Sequence, residues 1–251
     1  MDEKLIYDIG VHDGHDSEFY LKKGFKVIGV EANPKLAEKL KIKLKSYIEN
    51  DQFILVEKAI SYVSGDEISF FINDDKDDWG TTSPKWNRSM DNRFVEIKVE
   101  TINIEDMVDL YGMPYYMKID IEGSDVLCLN SLINIGSKPE NLSIELLTFN
   151  NLVNEDVDHL EILRKLKELG YTNYKISDQS KNHVVDCPYP PLEGSYIDYR
   201  FNGLCSGLFG KELINGSISY DKLLNQYNEY FTEKKSNGVF QHSGWYDVHV
   251  N

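Results

Sequence analysis

IYDIGVHDGHDSEFYLKKGFKVIGVEANP, residues 6–34, reads as one strand, loop, helix and strand that closes on an acidic residue. Leu5 to Ile9 is an apolar run ended by Gly10, and Lys26 to Val30 is a second run ended by Glu31, with amphipathic sequence between them. This is a βαβ pattern. Gly10 and Gly14 fall in its first loop, where a missing side chain permits positive φ and lets the backbone approach a ligand closely. Asp16 or Ser17 is placed to cap the helix that runs through Phe19 to Lys23, and the free N–H groups of that helix start favour an anionic group. Glu31 lies roughly 20 residues beyond the glycine loop, at the position from which an acidic side chain accepts hydrogen bonds from a ribose diol. The unit therefore implies a nucleoside.

The glycine spacing bears on which nucleoside. A dinucleotide fingerprint requires G-x-G-x-x-G, and here His12 takes the second glycine position, which argues against NAD. The pattern Asp8-x-Gly10-x-x-x-Gly14, followed by Val30-Glu31-Ala32-Asn33-Pro34, resembles the nucleotide-binding half of class I S-adenosylmethionine-dependent methyltransferases. With the later Lys118-Ile119-Asp120-Ile121-Glu122-Gly123, it is more narrowly similar to the FkbM family, whose members carry a D-x-G-x-x-x-G loop, an E-x-N-P turn and a K-I-D-x-E-G strand end. The resemblance covers about Leu5 to Ser177. It departs at His12-Asp13, where the family's first loop usually carries an Asn.

That resemblance implies a doubly wound, mostly parallel α/β sheet of the class I methyltransferase type, with a β-hairpin insertion and a lid-like C-terminal extension. It implies S-adenosylmethionine as cofactor and S-adenosylhomocysteine as product. The cofactor-binding positions would be Asp8, Gly10, His12, Asp13, Gly14, Ser17, Glu31, Ala32, Asn33 and Asp120, with the turn Lys58-Ala59-Ile60 beside the adenine.

Composition bounds the remaining choices. A chain of 251 residues supports one sizeable α/β core with insertions, and a hydrophobic fraction of 41% fits a globular protein. The formal net charge of −15 argues against binding nucleic acid or an anionic membrane through a basic surface. Cys128, Cys187 and Cys205 are too few and too scattered for a disulfide framework or a zinc site, which suits a reducing compartment, and the cytoplasm is the expected location. No apolar stretch approaches the roughly 20 residues that span a bilayer, so membrane insertion is not expected.

Along the chain, Lys35 to Ile48 reads as one lysine-rich amphipathic helix and Phe53 to Val56 as the third strand. Glu67 to Ile72 and Phe94 to Thr101 alternate as antiparallel strands around a polar loop, within an insertion at about residues 62–101. Thr81, Thr82 and Ser83 in that loop are candidate substrate-binding hydroxyls, with local turn capping as the competing use. Tyr115 to Ile121 reads as the fourth core strand, Leu142 to Leu147 as the fifth and Tyr171 to Ile176 as the sixth. Ser206 to Gly210 is placed in or beside the final strand.

In an open α/β sheet, ligands bind outside the carboxyl ends of the strands, which puts Asp120 and Glu122 in the crevice near Gly10 and Glu31. Asp120, Glu122, Glu145 and Lys118 are the candidate catalytic groups, with Asp120 first as general base. A plain Lys118 to Glu145 ion pair is the competing structural use of the last two. The core is expected over residues 1–177, and residues 178–251 are expected to complete the sheet and cover the substrate site, with His242 and Trp245 as substrate contacts. No cluster has metal-ligand spacing in the sequence, so no metal is expected. The acceptor implied by the resemblance is a small molecule or saccharide hydroxyl. An NAD-dependent oxidoreductase or epimerase, and a non-catalytic cofactor-binding module, are the rival readings of the same βαβ unit.

Overall fold

The computed structural model describes residues 4–73, 80–82, 94–146, 160–203, 205–213, 216–227 and 246–251. The opening unit is β1 (Leu5–Ile9), α1 (His15–Lys22) and β2 (Lys26–Val30). It is followed by α2 (Pro34–Lys43), α3 (Lys45–Glu49), β3 (Phe53–Val56) and β4 (Ala59–Ile60). A hairpin of β5 (Glu67–Asn73) and β6 (Phe94–Ile102) leads to α4 (Ile104–Tyr111), β7 (Tyr116–Ile119), α5 (Asp125–Ile135) and β8 (Asn141–Glu145). The last elements are α6 (Glu161–Glu168), β9 (Tyr174–Asp178) and β10 (Tyr246–Val250).

The main sheet has seven strands in the order β3-β2-β1-β7-β8-β10-β9, and a small sheet joins β4, β6 and β5. β1, β2, β3, β7 and β8 run parallel, whereas β10 is antiparallel to both β8 and β9. This is the doubly wound, mostly parallel sheet of the class I methyltransferase type. The strand order reverses between β1 and β7, which opens a crevice at their carboxyl ends, where Gly10 and Asp120 lie.

Each face of the sheet is buried for a different reason. On one side Tyr7, Ile9, Met117, Ile119 and Ile144 pack against α4, α5 and α6 in an aliphatic core. The Tyr7 hydroxyl, which burial would otherwise leave unpaired, lies 2.8 Å from the Met107 carbonyl within α4 and 2.7 Å from the Gly112 carbonyl just past it, so its one hydrogen has a carbonyl to donate to in either direction.

On the other side the core is aromatic. Phe19 and Tyr20 of α1 and Tyr116 of β7 meet Tyr199, Phe201 and Phe209, which come from beyond the last parallel strand. Phe209 stacks on Tyr116 with ring centroids 4.6 Å apart and meets Tyr20 edge-on at 5.2 Å. A buried pair, Lys23 Nζ to Glu212 Oε1 at 2.9 Å, ties the same segment to the end of α1. Phe209→Ala is therefore expected to cost about 3–5 kcal/mol of folding stability, as for other buried aromatics. Urea denaturation checks this, and a loss below about 1 kcal/mol would place this segment outside the core.

Several expected boundaries move. The helix expected over Lys35 to Ile48 divides at Leu44 (φ −103°, ψ 17°), and the break turns Tyr47 and Ile48 toward the aromatic core. α1 begins at His15 with Gly14 at its N-cap, so neither Asp16 nor Ser17 caps it. Both side chains are drawn inward instead. The fourth strand shortens to Tyr116–Ile119, the fifth to Asn141–Glu145, and the sixth shifts to Tyr174–Asp178. Ser206 to Gly210 is not a strand: the last strand is Tyr246–Val250, inserted between β8 and β9. Among the described residues, no helix is long and apolar enough to cross a membrane.

Candidate active site

The loop after β1 is built by close backbone approach. Gly10 has φ 89°, and a Cβ there would lie 1.8 Å from the Asp120 carbonyl oxygen, so the loop after β1 can lie against the backbone at the end of β7 only because this position has no side chain. Two residues later the chain turns again at His12, which has φ 53° without being glycine. Such a residue costs about 1–3 kcal/mol unless its surroundings fix it, and here a side chain at the end of β2 does so. The His12 N–H donates to Glu31 Oε2 at 2.9 Å, and the Asn33 N–H donates to Oε1 at 2.7 Å. Asn33 in turn caps α2 by accepting from the Lys35 N–H at 3.0 Å, with Pro34 at the first helical position.

Glu31 is thus buried yet directed at the cleft. Burial raises its pKa to about 7, while the N–H groups of Asn33 and His12 act in the opposite sense. Each carboxylate oxygen carries a second lone pair, so the two backbone bonds leave Glu31 able to accept further hydrogen bonds.

Lys118 on β7 is the electrostatic centre beneath this loop. Its ammonium donates to the Gly10 carbonyl at 2.9 Å and lies 3.3 Å from Asp8, 3.7 Å from Asp120 and 3.8 Å from Asp16. Burial would lower its pKa, but Asp8, Asp120 and Asp16 outweigh burial and hold it well above the ordinary value. Asp16 has its pKa raised to about 7, chiefly by burial, with Lys118 opposing, and it accepts from the Ser206 N–H at 3.1 Å. This set takes the place of the Lys118 to Glu145 ion pair weighed as the structural alternative, because Lys118 turns toward β1 and α1.

Glu145 belongs to a row of acids at the carboxyl end of the sheet. It pairs directly with Asp247 across the antiparallel β8 and β10 strands, and Asp120 follows the Ile119–Ile144 pair on the neighbouring parallel strand. Carboxylate oxygens of Asp120, Glu122 and Glu145 all lie within 4.8 Å of one another. Burial, then the charges of Glu122 and Asp120, raise the Glu145 pKa well above the ordinary value. Asp125 holds the connecting turn, accepting from the N–H groups of Ile121 and Gly123 at 3.0 Å each.

One cleft takes in most of the residues singled out by sequence: Gly10, His12, Asp13, Glu31, Ala32, Asn33, Lys58, Ala59, Ile60, Thr82, Lys118, Asp120, Glu122 and Glu145. Lys58 is ion-paired to Glu100 at its edge. Asp8, Gly14 and Ser17 lie behind the lining. The Ser17 hydroxyl donates to Asp8 at 2.6 Å beneath the loop, so these two support the site from below. The Thr81 hydroxyl donates to the Glu122 carbonyl at 3.0 Å, and Thr82 bonds Ser124 at 2.6 Å, which fastens the hairpin to the turn after β7. Ser83, His242 and Trp245 fall outside the described residues.

Other contributors were not singled out as site residues by sequence. Asp16, Gln179 and Phe70 line the cleft, and Asp247 backs it, with Gln179 donating to Asp247 at 2.8 Å. Asp16 gave a signal, an acid beside the glycine loop, but it read as a helix cap. The other three arrive through strand register and the C-terminal segment.

Residues 8–172 match a family model described as the methyltransferase FkbM domain. No curated protein matches the chain. Among solved structures, a precorrin-6y C5,15-methyltransferase from Geobacter metallireducens GS-15 is similar at 12% identity and TM-score 0.44, covering 100% of this chain and 81% of that one. A SAM-dependent methyltransferase from Archaeoglobus fulgidus aligns at 16% identity and TM-score 0.41, covering 99% and 86% of the two chains. A SAM-dependent O-methyltransferase from Thermotoga maritima aligns at 10% identity and TM-score 0.41, covering 99% and 59%.

Proposed function

The chain belongs to the FkbM methyltransferase family, and from that premise we propose that it methylates a hydroxyl of a small molecule or saccharide precursor, using S-adenosylmethionine. The observation that carries the reading is the Glu31 carboxylate, fixed by the His12 and Asn33 N–H groups and turned to the cleft beside Gly10 at the reversal of strand order.

The residues present fit the cofactor. Glu31 retains lone pairs for a ribose diol, Gly10 keeps the loop free of a side chain, and Ala32, Ile60 and Phe70 offer an apolar wall for an aromatic base. When bound, the cofactor supplies a methyl group already electrophilic on its sulfonium. The chain's own task is then to hold the acceptor in line and to take its proton. Orientation of this kind is worth on the order of 7–11 kcal/mol, and a general base adds about 10²- to 10⁴-fold.

Asp120 is the proposed base, because it opens to the cleft at the end of β7 with the Lys118 ammonium beside it. At Glu145, by contrast, burial with the charges of Glu122 and Asp120 raises the pKa and disfavours the carboxylate. The segment after Asp178 is proposed to close the acceptor side. An acidic chain, with net charge −15, favours a neutral or cationic acceptor over a polyanion.

The test is calorimetric titration with S-adenosylhomocysteine and, separately, NAD. S-adenosylhomocysteine is expected to bind saturably, and Glu31→Ala to weaken it by about 1.5–3 kcal/mol, roughly 10- to 150-fold, as a charged hydrogen bond to the ribose is lost. Unchanged affinity in the variant would move the ribose elsewhere. NAD binding in place of S-adenosylhomocysteine would overturn the transfer reading.

A further inference from the structure

We propose that Gln179 selects the acceptor, presenting its side-chain carbonyl oxygen to a second hydroxyl or amino group on the molecule that is methylated. The acceptor is then a polyol or an amino alcohol rather than a lone alcohol. This assignment rests on the transfer function proposed above and narrows it to acceptors that carry a second hydrogen-bond donor.

The topology puts Gln179 on the acceptor side. β8 and β9 run the same way, because β10 is antiparallel to both. Gln179 follows the last residue of β9 and so stands at the same edge of the sheet as Asp120 and Glu145. Along that edge the strand order sets Glu31 after β2, Asp120 after β7, Glu145 at the end of β8 and Gln179 after β9. The ribose carboxylate and Gln179 thus lie on opposite sides of the proposed base, and all four residues line one cleft.

The side chain is held with one polar end unspent. Gln179 is only 5% exposed, and a buried amide needs partners for both its nitrogen and its oxygen. Its Nε2 donates to Asp247 Oδ1 at 2.8 Å, whereas its Oε1 accepts from none of the described residues. Asp247 decides which end is left over. A carboxylate only accepts, so the nitrogen turns toward it and the oxygen away. Burial, then the charge of Asp120, raises the Asp247 pKa to about 6, which leaves it mostly ionised at neutral pH. That action of Asp120 on Asp247 also sets the anchor of the amide close to the proposed base.

Gln179 is not needed to fasten its own turn. The 3₁₀ helix Gln179–Val184 is capped by Asp178, whose Oδ1 accepts from the Ser180 N–H at 3.1 Å, and Asn182 donates to the Cys205 carbonyl at 2.6 Å. The amide therefore reaches the cleft on a fixed support, as a group that recognises a ligand must. It also lies beyond residue 172, where the match to the family model ends.

The experiment is methyl transfer from radiolabelled S-adenosylmethionine by the full chain, with acceptors in matched pairs that differ in the second donor. The pairs are cyclohexane-1,2-diol and 2-aminocyclohexanol, each against cyclohexanol, and methyl hexopyranosides against their monodeoxy analogues. The donor-bearing member is expected to exceed its partner about 10- to 100-fold in kcat/KM, because the partner leaves the Gln179 oxygen unpaired. In Gln179→Met this ratio should fall toward unity through a higher KM for the donor-bearing member, with S-adenosylhomocysteine affinity unchanged. The ratio does not depend on how much of the variant is folded, so a merely structural role would not move it. Gln179→Asn, which keeps an amide but withdraws it by one methylene, repeats the test if Gln179→Met fails to fold. Equal kcat/KM within every pair, or a ratio that a folded variant keeps, would overturn the assignment. Refusal of every acceptor by a chain that binds S-adenosylhomocysteine would overturn the polyol and amino alcohol class and leave the cofactor reading in place. Absence of S-adenosylhomocysteine binding would instead overturn the function on which the assignment rests.

Discussion

Lys118→Met is expected to lower folding stability by about 3–5 kcal/mol, the usual consequence of removing one partner from a buried charged group. The lysine side chain is 5% exposed, and it is the ammonium that Asp8, Asp16 and Asp120 share. Among the described residues, its removal leaves Asp8, fully buried, with the Ser17 hydroxyl as its side-chain partner. It also frees the Gly10 carbonyl, so the loop that shapes the cleft loses its tie to β7. Typical domains have only about 5–15 kcal/mol in total, so the variant should unfold at a clearly lower urea concentration. Adding Asp8→Asn to Lys118→Met should recover part of the loss, because one uncompensated charge disappears with it. A single variant as stable as the parent would mean that the acids are protonated and Lys118 is dispensable.

Asp120→Asn is expected to reduce methyl transfer by about 10²- to 10⁴-fold, the range a positioned general base supplies. The substitution preserves size, and Asp120 is at the rim of the cleft with its side chain 24% exposed, so the fold should survive. With an acceptor hydroxyl found by screening, single-turnover kinetics separate the possible roles. A lower transfer rate with unchanged S-adenosylhomocysteine affinity identifies a base. Parallel loss of affinity assigns Asp120 to holding the cofactor, and unchanged turnover removes it from the mechanism.

Both predictions rest on residues whose strand-end positions were readable but whose partners were not. Lys118 and Asp120 read correctly as the end of a core strand beside the glycine loop. A Lys118 to Glu145 ion pair was the competing structural use beside a catalytic role, since both are charged residues in apolar runs. Parallel pairing puts Lys118 beside Asp8 on β1 and Ser143 on β8, and the ammonium goes to the carboxylate side. Thr81 and Thr82 offer a similar contrast. Their hydroxyls suggested substrate contacts, and the fold spends them on Glu122 and Ser124, where they hold the hairpin against the turn after β7.

By itself the sequence determined what depends on near neighbours. The apolar runs and glycines of residues 5–31 specify a βαβ unit, because strand and helix periods, positive-φ turns and helix caps are set within a few residues. The same local logic placed Glu31 at the mouth of the cleft and read the β5–β6 pair as antiparallel. Only tertiary structure decided which face of each element is covered and which distant acids meet. Asp16 turned from a helix cap into a buried acid because the chain around Ser206 packs on α1. Asp120, Glu145 and Asp247 became one row because β10 enters antiparallel between β8 and β9, and a one-residue slip in that register would have sent Asp247 to the opposite face.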